Sequence, residues 1–341
     1  MGHLIDGVWH VQTVPSPREE GGKVDPSKAG QFVREPSAFR NWVTPDGKPG
    51  PTGHDGIAAA AGRYHLYVSY ACPWAHRTLI MRGLKGLTEM IPISVVNWFL
   101  GDDGWTFAPG EGVIPDPLFQ SRALHEIYTR ADGTYTGKVT VPVLWDKHTQ
   151  TIVNNESSEI IRMFNSAFDG VGAKQGDYYP KELRAEIDAI NARVYDTVNN
   201  GVYKAGFAWT QAAYETAIGP LFETLDWLEQ RLARTRFLCG ERLTEADIRL
   251  FTTLVRFDSV YVGHFKCNIR RLVDYRNLWA YTRDIYQLPE VGPTVNMMHI
   301  KRHYYQSHRT INPTGIVPVG PEIDFDAPAD RGRDVSRVLL F

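Results

Sequence analysis

Cys72 is the residue with the strongest indication of chemistry, because the residues around it could make its sulfur reactive. It follows a short apolar segment and precedes Pro73. Proline suits the first position of a helix, where its fixed φ is compatible and its missing amide hydrogen is not needed. The sulfur would then face free helix amides, which together with the helix dipole stabilise a thiolate and lower the thiol pKa. The sequence therefore predicts a nucleophilic thiolate; the alternative is a buried, inert cysteine.

The residue three positions after Cys72 determines which thiol chemistry is available. In C-x-x-C oxidoreductases a second cysteine at that position resolves the mixed disulfide, but here it is Ala75. Any mixed disulfide on Cys72 must therefore be resolved by a thiol from another molecule. The other two cysteines, Cys239 and Cys267, are interpreted as structural. Their spacing indicates neither a disulfide framework nor a zinc site, and the 11 histidines form no metal-ligand pattern, so we expect no metal.

Three histidines are weaker candidates for chemistry. His76 lies close enough to Cys72 in sequence to be its base, but a helix start already stabilises a thiolate, so His76 is interpreted as a supporting or surface residue. The next residue, Arg77, is expected to point elsewhere on the helix. His303 and His308 belong to a basic and aromatic run over residues 301–309, which is more typical of a solvated face or a closing segment than of a nucleic-acid site.

Composition limits the partners of the chain. The 341 residues contain 37 Lys and Arg against 39 Asp and Glu, a net charge of −2. This balance provides no broad electrostatic surface for nucleic acid. No apolar run reaches the ~18 residues of a membrane helix, and the N-terminus lacks the order of a secretory signal. We therefore expect a cytoplasmic protein with neither a nucleic-acid nor a membrane partner.

The elements around Cys72 predict a small α/β domain over residues 63–170. Its mixed sheet would combine a parallel crossover with a hairpin, interrupted by a Gly-, Asp- and Pro-rich insert at about residues 97–137. Pro142 lies inside one strand and cannot donate to the ladder, so an edge, a bulge or a cis turn must accommodate it. The predicted order is strand Arg63–Tyr70, helix Cys72–Gly83, strands Ile91–Val96, Val139–Trp145 and Thr151–Val153, and a helix starting within Asn154–Glu159, capped by Asn and Ser side chains.

The C-terminal half predicts a helical bundle over residues 180–312. Apolar residues recur at helical spacing over Leu183–Val198 and Ile218–Leu232, and a further helix is expected over Tyr275–Ile285. Thr244 and Asp247 form a capping box that starts another helix. Residues 1–62 are expected to form an irregular arm and residues 313–341 an extended tail.

Five short segments together resemble the xi-class glutathione transferases, known as glutathionyl-hydroquinone reductases. The likeness extends over roughly residues 40 to 315. It implies a thioredoxin-like N-terminal domain followed by an all-helical domain, the glutathione transferase fold, and a homodimer. The segments are Cys72-Pro-Trp-Ala75, Gly104-Trp-Thr-Phe107, Lys138-Val-Thr-Val-Pro-Val-Leu-Trp-Asp146, Asn155-Glu-Ser-Ser-Glu159 and Leu243-Thr-Glu-Ala-Asp-Ile248.

The resemblance also implies a glutathione site. Pro142 would be a cis proline that turns the Val141 backbone toward glutathione, while Glu156 and Ser157 at a helix start would hold its γ-glutamyl end. Trp105 from the insert would cover the tripeptide. The remaining residues are those of the segment before Pro142: Lys138 near a carboxylate, in place of the family's frequent Arg, and then Val139 and Thr140.

The activity implied by the resemblance is reductive removal of glutathione from glutathionyl-hydroquinones. The Cys72 thiolate would attack the substrate sulfur, and a second glutathione would release glutathione disulfide. Tyr203 would protonate the leaving carbon, and Tyr261 and Tyr304 would bind the hydroquinone oxygens or stabilise the thiolate. Without the resemblance these tyrosines would be interpreted as core or surface residues. Two alternatives stay open: an omega-like thiol transferase that reduces mixed disulfides or dehydroascorbate, and a non-catalytic binding module.

Overall fold

The structure is a computed structural model that describes residues 2–11, 30–32, 36–52, 54–329 and 331. These residues divide into two compact units. The described part of the first unit lies within residues 2–11, 36–176 and 293–307, and that of the second within residues 30–32, 177–292 and 308–331. The division differs from the predicted domains in two respects. Residues 293–307 join the first unit rather than the helical domain predicted over 180–312, and the described residues of the arm predicted over 1–62 are divided between the first unit and the second.

Four short strands occur where the sequence predicts an irregular arm. β1 (His3–Ile5) pairs antiparallel with β2 (Val8–His10), and β3 (Trp42–Thr44) pairs parallel with β4 (Gly56–Ala58). The prediction is wrong for these segments, because three residues are too few to show a strand period. Long-range pairing holds them instead, as in the hydrogen bonds between Leu4 and Gly137. Residues 12–29 and 33–35 of the predicted arm lie outside the described residues.

A four-stranded mixed sheet forms the core of the first unit. Its order is β6-β5-β7-β8, with β5 (Tyr64–Val68) parallel to β6 (Ile93–Val95) and antiparallel to β7 (Val143–Asp146), which pairs antiparallel with β8 (Thr151–Asn154). All five residues of β5 are buried, as its position between two neighbouring strands requires. The predicted crossover and hairpin are confirmed.

Three helices belong to the part of the first unit that precedes residue 176. α1 (Pro73–Leu84) connects the parallel strands β5 and β6 and packs against α3 (Ser157–Ser166). α2 (Leu124–Ala131) lies in the insert and is absent from the sequence prediction. Its two turns bury Leu124, Ile127 and Tyr128, a pattern too short to be distinguished from a loop.

The second unit is helical, as predicted. The helix predicted over Leu183–Val198 ends earlier, because α4 (Arg184–Val194) passes into a π-helical turn, Tyr195–Asn199, before α5 (Gly201–Gly206). The capping box of Thr244 and Asp247 is confirmed. The other helices are α6 (Gln211–Leu232), α7 (Glu245–Leu254) and α8 (Arg276–Tyr286), with a second π-helical turn at Phe257–Tyr261.

The basic and aromatic run near the C-terminus forms helix α9 (Met297–Ser307) in the first unit. Of the two predicted alternatives, a solvated face and a closing segment, the solvated face is wrong for the inner side of this helix, where His299, Ile300, His303 and Tyr304 are buried. Residues 313–329 contain no helix or strand, in agreement with the predicted tail. Among the helices of the described residues, none is both long enough and apolar enough to cross a membrane.

Candidate active site

Cys72 occupies the N-cap position of α1, directly after the central strand β5. Its backbone is extended, with φ −76° and ψ 120°, and Pro73 follows as the first helical residue. The thiol is half-buried and donates toward the backbone oxygen of Val141 at a sulfur to oxygen distance of 3.7 Å. The Val141–Pro142 peptide bond is cis, as the family resemblance implied. The strand, the helix start and the cis peptide thus place the sulfur beside the Val141 backbone.

Glu156 begins the second helix of the site. It is the N-cap residue of α3, and its carboxylate accepts hydrogen bonds from the amide and hydroxyl of Ser158 at 3.0 and 2.9 Å and from the Ser37 hydroxyl at 3.1 Å. The expectation that Asn and Ser side chains cap this helix is therefore wrong. Asn154 lies two residues before Glu156, and its Oδ1 accepts from the Glu156 amide at 2.7 Å, which shapes the turn after β8.

The surroundings of Glu156 favour its charged form. Burial works to raise the pKa of this carboxyl group, but the hydrogen bonds from Ser158, the positive charge of Arg77 and the hydroxyl of Ser37 lower it below its ordinary value. Ser157 beside it is 3% exposed. A carboxylate next to the amides of a helix start can hold both charges of an amino-acid group, the ammonium on the carboxylate and the carboxyl on the amides.

Arg77 reaches this same helix start, which the sequence analysis missed. Its guanidinium lies over the Trp74 ring, 4.4 Å from the centroid, and its Nη1 is 3.5 Å from the Ser157 hydroxyl oxygen. The sequence indicated only that Arg77 points elsewhere on the helix than His76, and not that it reaches the α3 start. The spacing of three residues between Trp74 and Arg77 is a signal that could have been used, because residues i and i+3 share a helix face.

Tyr128 of α2 ties the segment before the cis proline to the α3 start. Its hydroxyl donates to the Thr140 backbone oxygen at 2.8 Å and accepts from the Thr140 amide at 3.2 Å and from Asn155 Nδ2 at 3.1 Å. Lys138 of the same segment has an exposed side chain, and Val139 is half-buried. Tyr128, Thr140 and Asn155 therefore form a connected framework between the segment before the cis proline and the α3 start.

Helix α9 holds the insert that carries Trp105. The Trp105 ring is 7% exposed and stacks on His303, with ring centroids 4.9 Å apart. His303 Nδ1 lies 2.8 Å from the Trp98 backbone oxygen, and His299 Nε2 lies 2.6 Å from that of Glu111. Tyr304 neighbours His303 on this helix and is 1% exposed, so it belongs to the same unit as Cys72.

His76 has a supporting position rather than a surface one. Its side chain is buried, and its Nε2 lies 2.7 Å from the Thr294 hydroxyl just before α9. The His76 amide bonds to the Cys72 backbone oxygen at 3.0 Å, an ordinary helical bond. His76 therefore connects α1 with the segment that leads into α9.

Tyr203 and Tyr261 come together in the second unit. Their ring centroids are 6.3 Å apart, and Phe265 lies 5.5 Å from each of them. Tyr203 is half-buried, whereas Tyr261 is fully buried. We call these residues the aromatic cluster, together with two further rings that stack near Tyr203: Phe32 at 6.0 Å and Phe207 at 6.2 Å.

Two buried histidines adjoin the aromatic cluster. His264 Nε2 and His308 Nδ1 lie 3.2 Å apart, and burial lowers the pKa of His264 to about 4. His308 stacks on Phe265, so the expectation of a solvated face does not hold for it. Burial of His264 thus favours its neutral form beside the cluster.

The other cysteines fit their predicted structural role. Cys239 is 7% exposed and Cys267 is fully buried. Burial raises the pKa of both thiols, that of Cys239 to about 12, which opposes thiolate formation. In the described part of the chain, no group of three or more His, Cys, Asp or Glu side chains could hold a metal ion.

Comparison with known proteins agrees with this architecture. Residues 71–167 match the family model "Glutathione S-transferase, N-terminal domain", and residues 211–284 match "Glutathione S-transferase, C-terminal domain". The chain is 58% identical to the glutathionyl-hydroquinone reductase YqjG of Escherichia coli, over 98% of this chain and 99% of that protein. A glutathione-bound structure of YqjG superposes with a TM-score of 0.87 over 97% of this chain and 99% of that chain, at 56% identity.

Two further relatives extend the comparison. The glutathionyl-hydroquinone reductase PcpF of Sphingobium chlorophenolicum is 56% identical over 94% of this chain and 96% of its own length. The glutathione S-transferase Xi of Phanerochaete chrysosporium superposes with a TM-score of 0.82 at 53% identity, covering 87% of this chain and 99% of that chain. The chain therefore belongs to the xi class of the glutathione transferase family, which includes glutathionyl-hydroquinone reductases.

Proposed function

We propose that this protein is a glutathione-dependent reductase that cleaves glutathionyl-hydroquinones to hydroquinones. The observation that carries the proposal is the position of Cys72, at a helix start beside the Val141 carbonyl and with Ala75 where a resolving cysteine would stand. Such a thiol suits one half of a disulfide exchange and requires an external thiol for the other half. In this family the external thiol is glutathione.

Glutathione would bind along the framework of the first unit. The Val141 backbone next to the cis Pro142 would pair with the cysteinyl part, and Glu156 with Ser157 would hold the γ-glutamyl end. Lys138, with its exposed ammonium, would attract a glutathione carboxylate. Val139 and Thr140 would line the tripeptide, and Trp105 would close over it.

The reaction has two displacement steps. The Cys72 thiolate attacks the sulfur of the glutathionyl-hydroquinone, forming a Cys72 to glutathione disulfide while the carbon to sulfur bond breaks. The electron pair of that bond passes to the aromatic carbon, which takes a proton from Tyr203. A second glutathione then attacks the mixed disulfide, releases glutathione disulfide and restores the Cys72 thiolate. Its thiol proton returns to Tyr203, so the hydroquinone gains one hydrogen, and the glutathionyl group of the substrate leaves with one free glutathione as glutathione disulfide.

Tyr261 and Tyr304 have supporting roles in this proposal. Each would hydrogen-bond to a hydroquinone oxygen or to the thiolate. The aromatic cluster supports a substrate with a flat ring, because stacked and edge-on rings favour aromatic ligands. We further propose that the protein forms a homodimer, which light scattering in solution would test.

The test of this function is turnover of a glutathionyl-hydroquinone with excess glutathione. We expect wild-type protein to release hydroquinone and glutathione disulfide in equal amounts, and Cys72→Ser to release neither above the uncatalysed rate. Cys239→Ala is the matched control and should keep the wild-type rate, because this buried thiol has no part in the exchange. Equal rates for wild type and Cys72→Ser would refute the mechanism. Mass spectrometry of a single turnover should detect glutathione on Cys72.

A further inference from the structure

We propose that Arg77 is a positioning residue of the glutathione site, which orients the Ser157 hydroxyl and places a positive charge beside Glu156. This inference rests on the proposed function, because it assumes that Glu156 and Ser157 bind the γ-glutamyl end of glutathione. It concerns a residue that lies five positions after Cys72 and belongs to the same helix, α1. Arg77 would thereby connect the helix that carries the sulfur to the helix start that holds the ligand.

Burial fixes the position of the Arg77 side chain. Only 1% of the residue is exposed, and it is among the largest fully buried side chains of the described residues. The Trp74 ring lies 4.4 Å from the guanidinium carbon, so a planar cation rests against a planar ring. Because α1 packs against α3, the guanidinium is held at the α3 start rather than in solvent.

The hydrogen bond to Ser157 gives the hydroxyl group a direction. Arg77 Nη1 donates to Ser157 Oγ at 3.5 Å, and an arginine has only donors. The serine oxygen therefore accepts from Arg77, and its own hydrogen can point toward the ligand. A ligand carboxylate needs such a donor, so Arg77 prepares Ser157 for the γ-glutamyl carboxylate before glutathione arrives.

The charge of Arg77 acts on Glu156. Burial works to raise the pKa of this carboxyl group, and the charge of Arg77 is one of the effects that lower it, together with hydrogen bonds from Ser158 and Ser37. Arg40 and Glu159 also face this region and bind each other in a salt bridge. An ionised Glu156 is the form that attracts the ligand ammonium, so loss of the Arg77 charge should weaken binding, most of all in acid.

The experiment measures glutathione binding by calorimetry at several pH values for wild type, Arg77→Met and Arg77→Lys. We expect Arg77→Met to weaken glutathione binding at pH 7 by about tenfold or more, the effect of losing one charge-assisted interaction. The loss of glutathione affinity in Arg77→Met should grow as the pH falls from 7 to 5, because without the charge of Arg77 the carboxyl group of Glu156 protonates at a higher pH. Arg77→Lys keeps the charge but not the planar stacking, so its affinity should fall less and keep the flat wild-type pH profile.

Steady-state kinetics separates positioning from general damage. We expect Arg77→Met to raise the KM for glutathione about as much as its dissociation constant while kcat at saturating glutathione changes less than about threefold. The matched control is Arg130→Met, since Arg130 is stacked on Phe119 at 4.5 Å in the same unit but is exposed. It should bind glutathione as wild type does.

Two results would overturn the proposal. One is a folded Arg77→Met variant with wild-type affinity and pH profile. If Arg77→Met does not fold, the second result comes from Arg77→Lys. A loss of kcat in that variant without a loss of glutathione affinity would show that Arg77 has a merely structural role. Calorimetry uses glutathione alone, so it gives its answer even if the protein proves unable to cleave a glutathionyl-hydroquinone. Failure of the proposed activity and failure of the Arg77 role are therefore distinguishable.

Discussion

Replacement of Tyr203 by Phe tests the chemical step that distinguishes a glutathionyl-hydroquinone reductase from a general thiol transferase. Cleavage of a carbon to sulfur bond requires a proton at the leaving carbon, whereas reduction of a mixed disulfide does not, because a thiolate is a good leaving group. If Tyr203 supplies that proton, Tyr203→Phe should impair the first reaction and spare the second. An omega-like thiol transferase would show no such difference.

The structure indicates that this substitution removes chemistry without removing packing. The Tyr203 ring is held by Phe265 at 5.5 Å, Phe32 at 6.0 Å and Tyr261 at 6.3 Å, and a phenylalanine ring keeps these contacts. The only loss is the hydroxyl group. General acid catalysis contributes about 10² to 10⁴ in rate. At ~1.4 kcal/mol for each factor of ten, the barrier to carbon to sulfur cleavage should rise by about 3 to 5 kcal/mol.

The assay compares two substrates under single-turnover conditions. Hydroquinone release from a glutathionyl-hydroquinone is followed by rapid mixing, and reduction of a glutathione mixed disulfide is followed with the same protein samples. We expect the first rate to fall by about 10² to 10⁴ and the second to change less than about threefold. The wild-type cleavage rate should also fall in deuterated water, and this isotope effect should shrink in the variant.

Tyr179→Phe is the control for the loss of a tyrosine hydroxyl. Tyr179 lies in the second unit outside the aromatic cluster, where its hydroxyl donates to Asp188 at 2.6 Å. Both reactions should keep their wild-type rates in this variant. Equal losses of the two reactions in Tyr203→Phe, or no loss of either, would refute the assignment of Tyr203 as the acid.

Three further predictions concern the thiol, the sheet and the insert. Alkylation of Cys72 by iodoacetamide should titrate with a midpoint below the ordinary thiol pKa of about 8.5, and a midpoint at or above this value would contradict the helix-start argument. Asp146→Asn should lower the free energy of unfolding in urea at pH 7 by about 2 to 4 kcal/mol, because it breaks a buried two-bond contact with Arg63 at 2.8 and 2.6 Å. Burial works to raise the pKa of Asp146, but its bonds to Arg63 and neighbouring groups lower it overall. The greater stability of the wild type over Asp146→Asn is therefore present above the pKa of the unfolded state, and it should decrease as the pH falls through the pKa of the folded state. A difference in unfolding free energy that stays constant with pH would contradict this account. His303→Leu should loosen Trp105 and shift tryptophan emission to longer wavelength relative to wild type, and an unchanged spectrum would show that the stacking does not hold this ring.

The parts of the fold that were predicted correctly are those that short sequence signals determine. Pro73 marks the start of α1, and the short apolar segment before Cys72 marks a buried strand; both signals depend on neighbours in sequence. The capping box of Thr244 and Asp247 is likewise complete within four residues. The cis bond before Pro142 could not be predicted from neighbouring residues alone, which left an edge, a bulge or a cis turn open. The family resemblance implied the cis form.

The candidate site was predicted in part. Cys72 and Glu156 each lie at a helix start that the sequence indicated, although the cap of α3 is Glu156 itself rather than Asn or Ser. The grouping of Tyr203 with Tyr261 was available only through the resemblance, because residues 58 positions apart leave no periodic signal. The sequence did not indicate that the Arg77 side chain points toward Ser157.

The sequence by itself determined the position of Cys72 at the start of α1, the order of the elements from β5 to α3 apart from α2, and the absence of a second thiol at residue 75. The tertiary structure alone decided that Arg77 turns toward Ser157, that α9 packs with the first unit, and that the N-terminal segment forms strands. The physical reason is the range over which the interactions act along the chain. Capping, helix propensity and apolar period act over a few residues, whereas a buried cation or a three-residue strand is stable only where distant segments supply its partners.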